Sequence, residues 1–116
     1  MFIGYVIVTV MTIVANAAIA GADFAKARFV LGNMAEVGLP PSSLPAFAVL
    51  KAAGAVGLAL GLLGVRLLGI AAAVGLVLFF LGAVVRHVQT RVYHNMAFPG
   101  TFLALSVASL ALALAR

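Results

Sequence analysis

Four long apolar runs constrain the fold of this chain more than any other feature. They cover residues 2–22, 46–65, 67–85 and 98–115, and none has a proline in its middle. At 1.5 Å per helical residue, runs of about 18 to 21 residues are about 27 to 32 Å long, close to the hydrocarbon thickness of a bilayer. The sequence therefore predicts an all-α integral membrane protein with four transmembrane helices.

The amino-acid composition agrees with a chain whose solvent is lipid. Hydrophobic residues make up 66% of it and charged residues 8%, whereas a soluble domain is about half apolar and a quarter charged. We expect one transmembrane domain over residues 1–116. The first run is longer than a signal-peptide core and no Lys or Arg precedes it, so we expect it to remain as an uncleaved helix.

The connections between the runs predict an up-down bundle with one extra segment. The second and third spans are joined only by residues 64–66, which requires an antiparallel hairpin. Residues 23–45, between the first and second spans, start with an amphipathic pattern that predicts a helix at the membrane interface. Its apolar members are Phe24, Ala27, Leu31 and Met34, opposite Asp23, Lys26, Asn33 and Glu36. Gly38 is expected to end this helix, and the serines that follow can cap the second span.

Small residues form stripes on three of the predicted spans. They are Gly54, Gly57, Gly61 and Gly64 on the second, Gly75 and Gly82 on the third, and Ala104, Ala108, Ala111 and Ala115 on the fourth. Because small side chains let helix backbones approach closely in lipid, these stripes predict contacts between the spans. The glycine stripe has an alternative use as a homodimer seam, so a homo-oligomer remains open.

Charge distribution predicts the orientation of the protein. Basic residues of the first and third loops are Lys26, Arg28, Arg86 and Arg91, against Arg66 and Arg116 on the other side. Since cytoplasmic loops carry the excess of Lys and Arg, we expect both loops in the cytoplasm of a bacterial cell and both termini outside.

The charge and the lack of cysteine also restrict partners and cofactors. The net charge of +5 fits short basic loops against a lipid bilayer, and no basic stretch interleaved with aromatic residues suggests a nucleic-acid partner. The chain has no Cys, so it cannot ligate an Fe–S cluster. No metal-ligand spacing is present, and we expect no metal cofactor.

Polar side chains within the spans are the candidate ligand-binding residues. Lys51 lies about six residues inside the second span, a costly place for a cation. It either pairs with Asp23 or Glu36, extends toward the headgroups, or contacts a ligand. Asn16 lies at a similar depth and either hydrogen-bonds another helix or lines a cavity. The other spans bring Phe79, Phe80 and Ser106 to this layer.

Acidic and imidazole side chains are the candidate acid–base residues. His87 ends the third span, where it either caps the helix or handles a proton or a ligand. Asp23 either pairs with Lys26 or Lys51 or belongs to a pocket. Glu36 is expected to be a solvated charge, and no function is expected for His94. The predicted catalytic set is thus His87, Asp23 and Lys51, beside a ligand-binding set of Asn16, Phe79, Phe80 and Ser106.

Residues 50–105 carry a resemblance to a known family. The motifs are Lys-Ala-Ala-Gly-Ala-Val-Gly-Leu from Lys51, Gly-Ala-Val-Val-Arg-His ending at His87, and Phe98-Pro99. The chain resembles the DoxX-like family of small four-span membrane proteins. The family takes its name from a subunit of a thiosulfate:quinone oxidoreductase, so the resemblance implies a four-helix fold near quinone chemistry. Family members carry either Lys or Glu at the position of Lys51.

Three hypotheses for the function follow. In the first, the bundle binds a lipophilic ligand, such as a quinone, as a subunit of a membrane oxidoreductase. In the second, it is a small enzyme in which Asp23 or His87 performs acid–base chemistry on an apolar substrate (isomerisation, cyclisation or epoxide opening) and Lys51 stabilises charge. In the third, it only assembles a partner protein. A pocket should draw its residues from at least three helices, and Lys51→Met should give a stabilised protein that no longer binds ligand.

Overall fold

The computed structural model describes residues 2–94 and 96–115, and within them the chain is helical with short connections. The helices are α1 (Phe2–Phe24), α2 (Arg28–Glu36), α3 (Leu44–Leu62), α4 (Arg66–Gln89) and α5 (Ala97–Ala115), with one 3₁₀ turn, Pro41–Ser43, before α3. All except α2 are long and apolar enough to cross a membrane. The predicted all-α bundle of four spans is confirmed.

The four spans pack as a ring. α1 contacts α3 and α5, and α4 also contacts α3 and α5. One end of the bundle, called the α2 end here, holds α2, the last turns of α1 and α4, and the first turns of α3 and α5. The opposite end, called the hairpin end, holds the tight connection from α3 to α4. The short α2 packs through Val30 and Met34 against Ile19 and Leu44.

Glycines bring α3 and α4 together toward the hairpin end. A Cβ added at Gly61 would lie 2.7 Å from the Cα of Gly69, and one added at Gly57 would lie 2.6 Å from the Cβ of Ala72. Only a residue without a side chain allows the backbones this close. This part of the glycine stripe is therefore used inside the chain, where a second copy cannot reach it.

Two of the other predicted small-residue contacts are wrong. A Cβ at Gly75 or Gly82 would meet no atom within 4 Å, and of the alanines in the α5 stripe only Ala108 is even half-buried. Instead, α5 buries Pro99, Ser106, Ser109 and Ala113. Ser109 makes a 2.7 Å hydrogen bond to Thr12 of α1, since a hydroxyl in lipid requires a partner.

The segment between α1 and α3 also differs from its prediction. Asp23 and Phe24 belong to α1, which ends before Lys26 adopts a left-handed φ of 53°. Gly38, with a φ of 73°, follows the end of α2 as expected. The expected serine cap is wrong, because Ser43 Oγ donates to the carbonyl of Pro40 at 2.7 Å and not to α3.

Candidate functional site

A buried ion pair joins α1 to α3 near the α2 end. Lys51 Nζ donates to Asp23 Oδ2 at 2.7 Å, and the two side chains are 11% and 0% exposed. Each charge alone would be costly in a low-dielectric interior, and their pairing offsets part of that cost. Asp23 is therefore the acidic partner of Lys51, which removes Glu36 and headgroup contact from the alternatives for this lysine.

One aromatic ring lies against the cation. Lys51 Nζ lies 5.3 Å from the ring centroid of Phe79, within the range of a cation–π contact. The Phe79 ring in turn meets Phe47 edge to face at 5.3 Å and Phe80 at 5.1 Å. The ammonium group of Lys51 is thus held by one carboxylate and one ring face, with part of its surface still open.

That open part faces a cavity of about 120 Å³, called the central cavity here. Most of its wall is apolar or aromatic: Ile19, Phe29, Val30, Met34, Val37, Leu39, Phe47, Phe79, Phe80, Ala83, Phe98, Pro99 and Phe102. The polar members of the wall are Asp23, Asn33, Lys51 and His87. An apolar cavity with a few convergent polar groups is the usual form of a small-molecule site.

His87 presents a defined face to this cavity. Its ring is buried, and Nδ1 lies 2.8 Å from the carbonyl oxygen of Ala83, one turn earlier in α4. A carbonyl only accepts hydrogen bonds, so Nδ1 carries the proton that is donated. In the neutral ring Nε2 is then an acceptor. On the cavity wall, Lys51 is therefore a hydrogen-bond donor, and the neutral ring of His87 keeps one acceptor, Nε2.

The structure brings together five of the seven residues singled out in the sequence. Asp23, Lys51, Phe79, Phe80 and His87 line the central cavity, and they come from α1, α3 and α4. The convergence from three helices matches the expectation for a pocket. Asp23, expected either in an ion pair or in a pocket, is fully buried and does both, since it pairs with Lys51 and lines the cavity.

The expectation that Asn16 and Ser106 line the same cavity is wrong. Both are fully buried. Asn16 Nδ2 donates to the carbonyl of Thr12 at 2.9 Å, and Ser106 Oγ donates to that of Phe102 at 2.8 Å. Counting residues from the membrane surface gives the depth of a side chain but not its direction around the helix. These two lie at the right depth and point elsewhere in the bundle.

Sequence reasoning missed the part of the wall that α2 and its flanking residues supply. Phe29, Val30, Met34, Val37 and Leu39 close the cavity at the α2 end. The amphipathic pattern had indicated a helix lying at the interface, and no contact between its apolar face and the bundle was predicted. The sequence did contain one indication of this position, because the segment that joins the first two spans is short. A helix within a short connection between two packed spans must lie over the end of the bundle.

Two polar contacts join the C-terminal end of α2 to α4 and to the residues after it. Arg86 Nε donates to the carbonyl of Val37 at 2.7 Å, and His94 Nε2 lies 2.6 Å from Glu36 Oε2. Glu36 was expected to be a solvated charge, and His94 was expected to have no function. They are 43% and 67% exposed at the side chain, and they face each other as a pair.

The basic side chains that predicted orientation remain on opposite ends. Lys26, Arg28, Arg86 and Arg91 lie at or beside the ends of helices at the α2 end, and Arg66 starts α4 at the hairpin end. Arg116 lies outside the described residues. Among residues 2–94 and 96–115, no three His, Asp or Glu side chains are grouped to hold a metal ion.

Comparison with known proteins shows a family relationship. The sequence model of the DoxX-like family matches residues 7–109. The matched range includes every lining residue of the central cavity. No curated protein and no solved structure matches the chain.

Proposed function

Since this chain belongs to the DoxX-like family, we propose that it binds a neutral lipophilic ring molecule with carbonyl groups, such as a quinone, in the central cavity. The observation that carries the proposal is the Lys51–Asp23 ion pair on the wall of an otherwise apolar cavity. A charge at this depth opposes membrane insertion, and such charges are retained for function.

The size of the central cavity restricts what it can hold. An engineered apolar cavity of about 150 Å³ binds benzene. The central cavity, at about 120 Å³, therefore suits one six-membered ring with small adjustments of its flexible walls. Phe79 and Phe80 offer ring faces and edges for stacking against such a ligand.

Charge balance favours a neutral ligand over an acid. Lys51 and Asp23 cancel each other, so a fatty-acid carboxylate would bring an unpaired charge into a low-dielectric site. A carbonyl oxygen accepts a hydrogen bond from Lys51 Nζ without adding charge. Nε2 of His87 can accept from a hydroxyl, so the site also suits the reduced, phenolic form of such a ring.

In this role the chain serves as a membrane subunit of an oxidoreductase. The ring bound in the central cavity would exchange electrons with a redox centre on another protein. This part of the proposal is supported by the family resemblance, which implies a place near quinone chemistry.

Binding of a tail-free benzoquinone tests the proposal. The protein is placed in nanodiscs, and the dissociation constant is measured with a radiolabelled probe after subtraction of binding to empty nanodiscs. The double variant Asp23→Asn/Lys51→Gln removes both charges and leaves no unpaired ion. We expect it to bind at least about tenfold more weakly, the equivalent of one charge-assisted hydrogen bond.

The control for this measurement is Lys26→Gln, which removes an exposed lysine outside the cavity. Its binding should equal that of the wild type. The proposal is refuted if the wild type shows no saturable binding, or if the wild type and both variants bind the probe equally well.

We also propose that the α2 end faces the cytoplasm, on the basis of its basic residues. The chain has no native Cys, so single introduced cysteines report orientation cleanly. Ala35→Cys in α2 should be protected from an impermeant thiol reagent in intact cells. Leu63→Cys, 81% exposed beside the hairpin turn, should react. The reverse labelling pattern would show that the α2 end faces the outside of the cell.

A further inference from the structure

A second cavity of about 350 Å³ lies beside the central cavity, along α3 and α4. Its lining consists of Leu39, Phe47, Phe79, Gly82, Ala83, Arg86 and Gln89. Four of these residues, Leu39, Phe47, Phe79 and Ala83, also line the central cavity. The two cavities therefore share a wall, and all four side chains in it are half-buried.

Gly82 opens the second cavity toward the outside of the bundle. It is exposed, and a Cβ added there would meet no atom within 4 Å. Because α4 spans the membrane, an exposed position seven residues before its end faces acyl chains. Arg86 and Gln89 complete the lining one and two turns further toward the headgroups. The second cavity is thus a lipid-side recess that reaches the wall of the proposed binding site.

The volumes of the two cavities indicate which part of a ligand each cavity could hold. The central cavity has room for about one ring, and quinones soluble in membranes carry long alkyl or isoprenoid tails. Such a tail must leave the central cavity, and the shared wall is where the structure provides an adjoining space. The Phe47–Phe79 contact, at 5.3 Å between ring centroids, borders that passage.

We propose that the second cavity holds the alkyl or isoprenoid tail of the ligand whose ring occupies the central cavity. This inference rests on the proposed function and adds the tail as a determinant of binding. The tail gains little from leaving lipid, which is as apolar as the cavity. Its contribution comes from close contact with Phe47, Phe79 and Leu39, so it is modest and depends on shape.

A bulky side chain at Gly82 tests the inference. Gly82→Trp places an indole in the second cavity, and Gly75→Trp is the matched control. Gly75 is also exposed on α4 with open space around it, but it lines neither cavity. Dissociation constants are measured in nanodiscs for a decyl-tailed benzoquinone and for the same ring without its tail.

The expected result separates the two probes. Gly82→Trp should weaken binding of the tailed probe about tenfold and leave the tail-free probe unchanged, while Gly75→Trp should alter neither. If Gly82→Trp leaves the tailed probe unchanged, or weakens both probes equally, the tail does not lie in the second cavity although the ring site stands. If the tail-free probe fails to bind the wild type, the proposed function itself is wrong.

Discussion

The two ends of the bundle differ in the residues through which α3 and α4 meet. At the hairpin end, glycines bring the backbones of α3 and α4 into contact, as at Gly61 and Gly69. At the α2 end, Phe47 of α3 meets Phe79 of α4 edge to face at 5.3 Å, and Phe79 meets Phe80 at 5.1 Å. The two helices thus meet through backbone at one end and through aromatic rings at the other, and these rings line the central cavity.

Buried polar groups occur toward both ends. Toward the hairpin end Thr12 and Ser109 satisfy each other across α1 and α5 at 2.7 Å. At the α2 end Lys51 keeps part of its surface toward the cavity, and Asp23 Oδ1 is buried without a hydrogen-bond partner among the described residues. Thr9 Oγ1 and Asn16 Oδ1 of α1 also lack a partner among the described residues. The α2 end differs in that its unused hydrogen-bonding capacity lies on the wall of a cavity, as a binding site requires.

Removing one charge of the ion pair should have the largest effect on stability. Lys51→Met leaves the carboxylate of Asp23 buried without its partner, so we expect the free energy of unfolding to fall by about 3–5 kcal/mol. A lysine considered alone in lipid gave the opposite expectation, because its removal favours insertion. The measurement is reversible unfolding in mixed micelles with increasing SDS.

The double variant Asp23→Asn/Lys51→Met is the control for that loss. It removes the unpaired charge, so most of the lost stability should return while the ligand remains unbound. A Lys51→Met protein that is more stable than the wild type would show that the pair contributes nothing to the fold.

Disrupting the close contact at the hairpin end should have the second-largest effect on the free energy of unfolding. Gly61→Ala pushes a methyl group against the backbone of Gly69, which cannot yield as a flexible side chain would. We expect a loss of about 1–3 kcal/mol in the same unfolding assay. Gly75→Ala places a methyl group in open space and should be neutral or slightly stabilising, since Ala favours helix over Gly. Equal effects of the two variants would argue against tight packing of α3 on α4.

A smaller effect is expected from the hydroxyl pair between α1 and α5. A double-mutant cycle with Thr12→Val and Ser109→Ala should give a coupling energy of about 0.6 kcal/mol, the usual size within membranes. Ligand binding at the α2 end should not change. A coupling of zero would mean that Thr12 is satisfied by the carbonyl of Val8 alone, which it also contacts at 2.8 Å.

The smallest effect should come from the exposed pair on α2. Glu36→Gln weakens the contact with His94, and because both side chains are largely solvated the loss should stay below about 1 kcal/mol. Raising the salt concentration should shrink the difference between this variant and the wild type. A larger loss would show that this pair, and not the apolar face of α2, keeps the helix in place.

The sequence predicted the spans better than the site, for a physical reason. Hydropathy summed over a whole span averages out local detail, so α1, α3, α4 and α5 were found with ends displaced by a few residues at most. A pocket depends on the direction of single side chains. Lys51, Asp23 and His87 were found because charged and imidazole groups in lipid must turn inward.

The polar but uncharged residues were harder to assign. Asn16 and Ser106 can each donate to a carbonyl of their own helix, so their presence in a span does not indicate a cavity. The contribution of α2 to the cavity wall depends on the position of a nine-residue helix. An amphipathic pattern does not determine that position. The apolar face of α2 fits lipid and the end of a bundle equally well.

The separation of the ion pair along the chain also has a consequence for synthesis. Asp23 and Lys51 are 28 residues apart, and at about 5–20 residues per second the lysine is made about one to six seconds after the acid. During that interval α1 must remain in the membrane with an unmatched carboxylate. Asp23 lies one residue from the end of α1, where the nascent helix can leave it in headgroup water until α3 arrives. The chain thus synthesises first the member of the pair that can stay in contact with headgroup water until its partner is made.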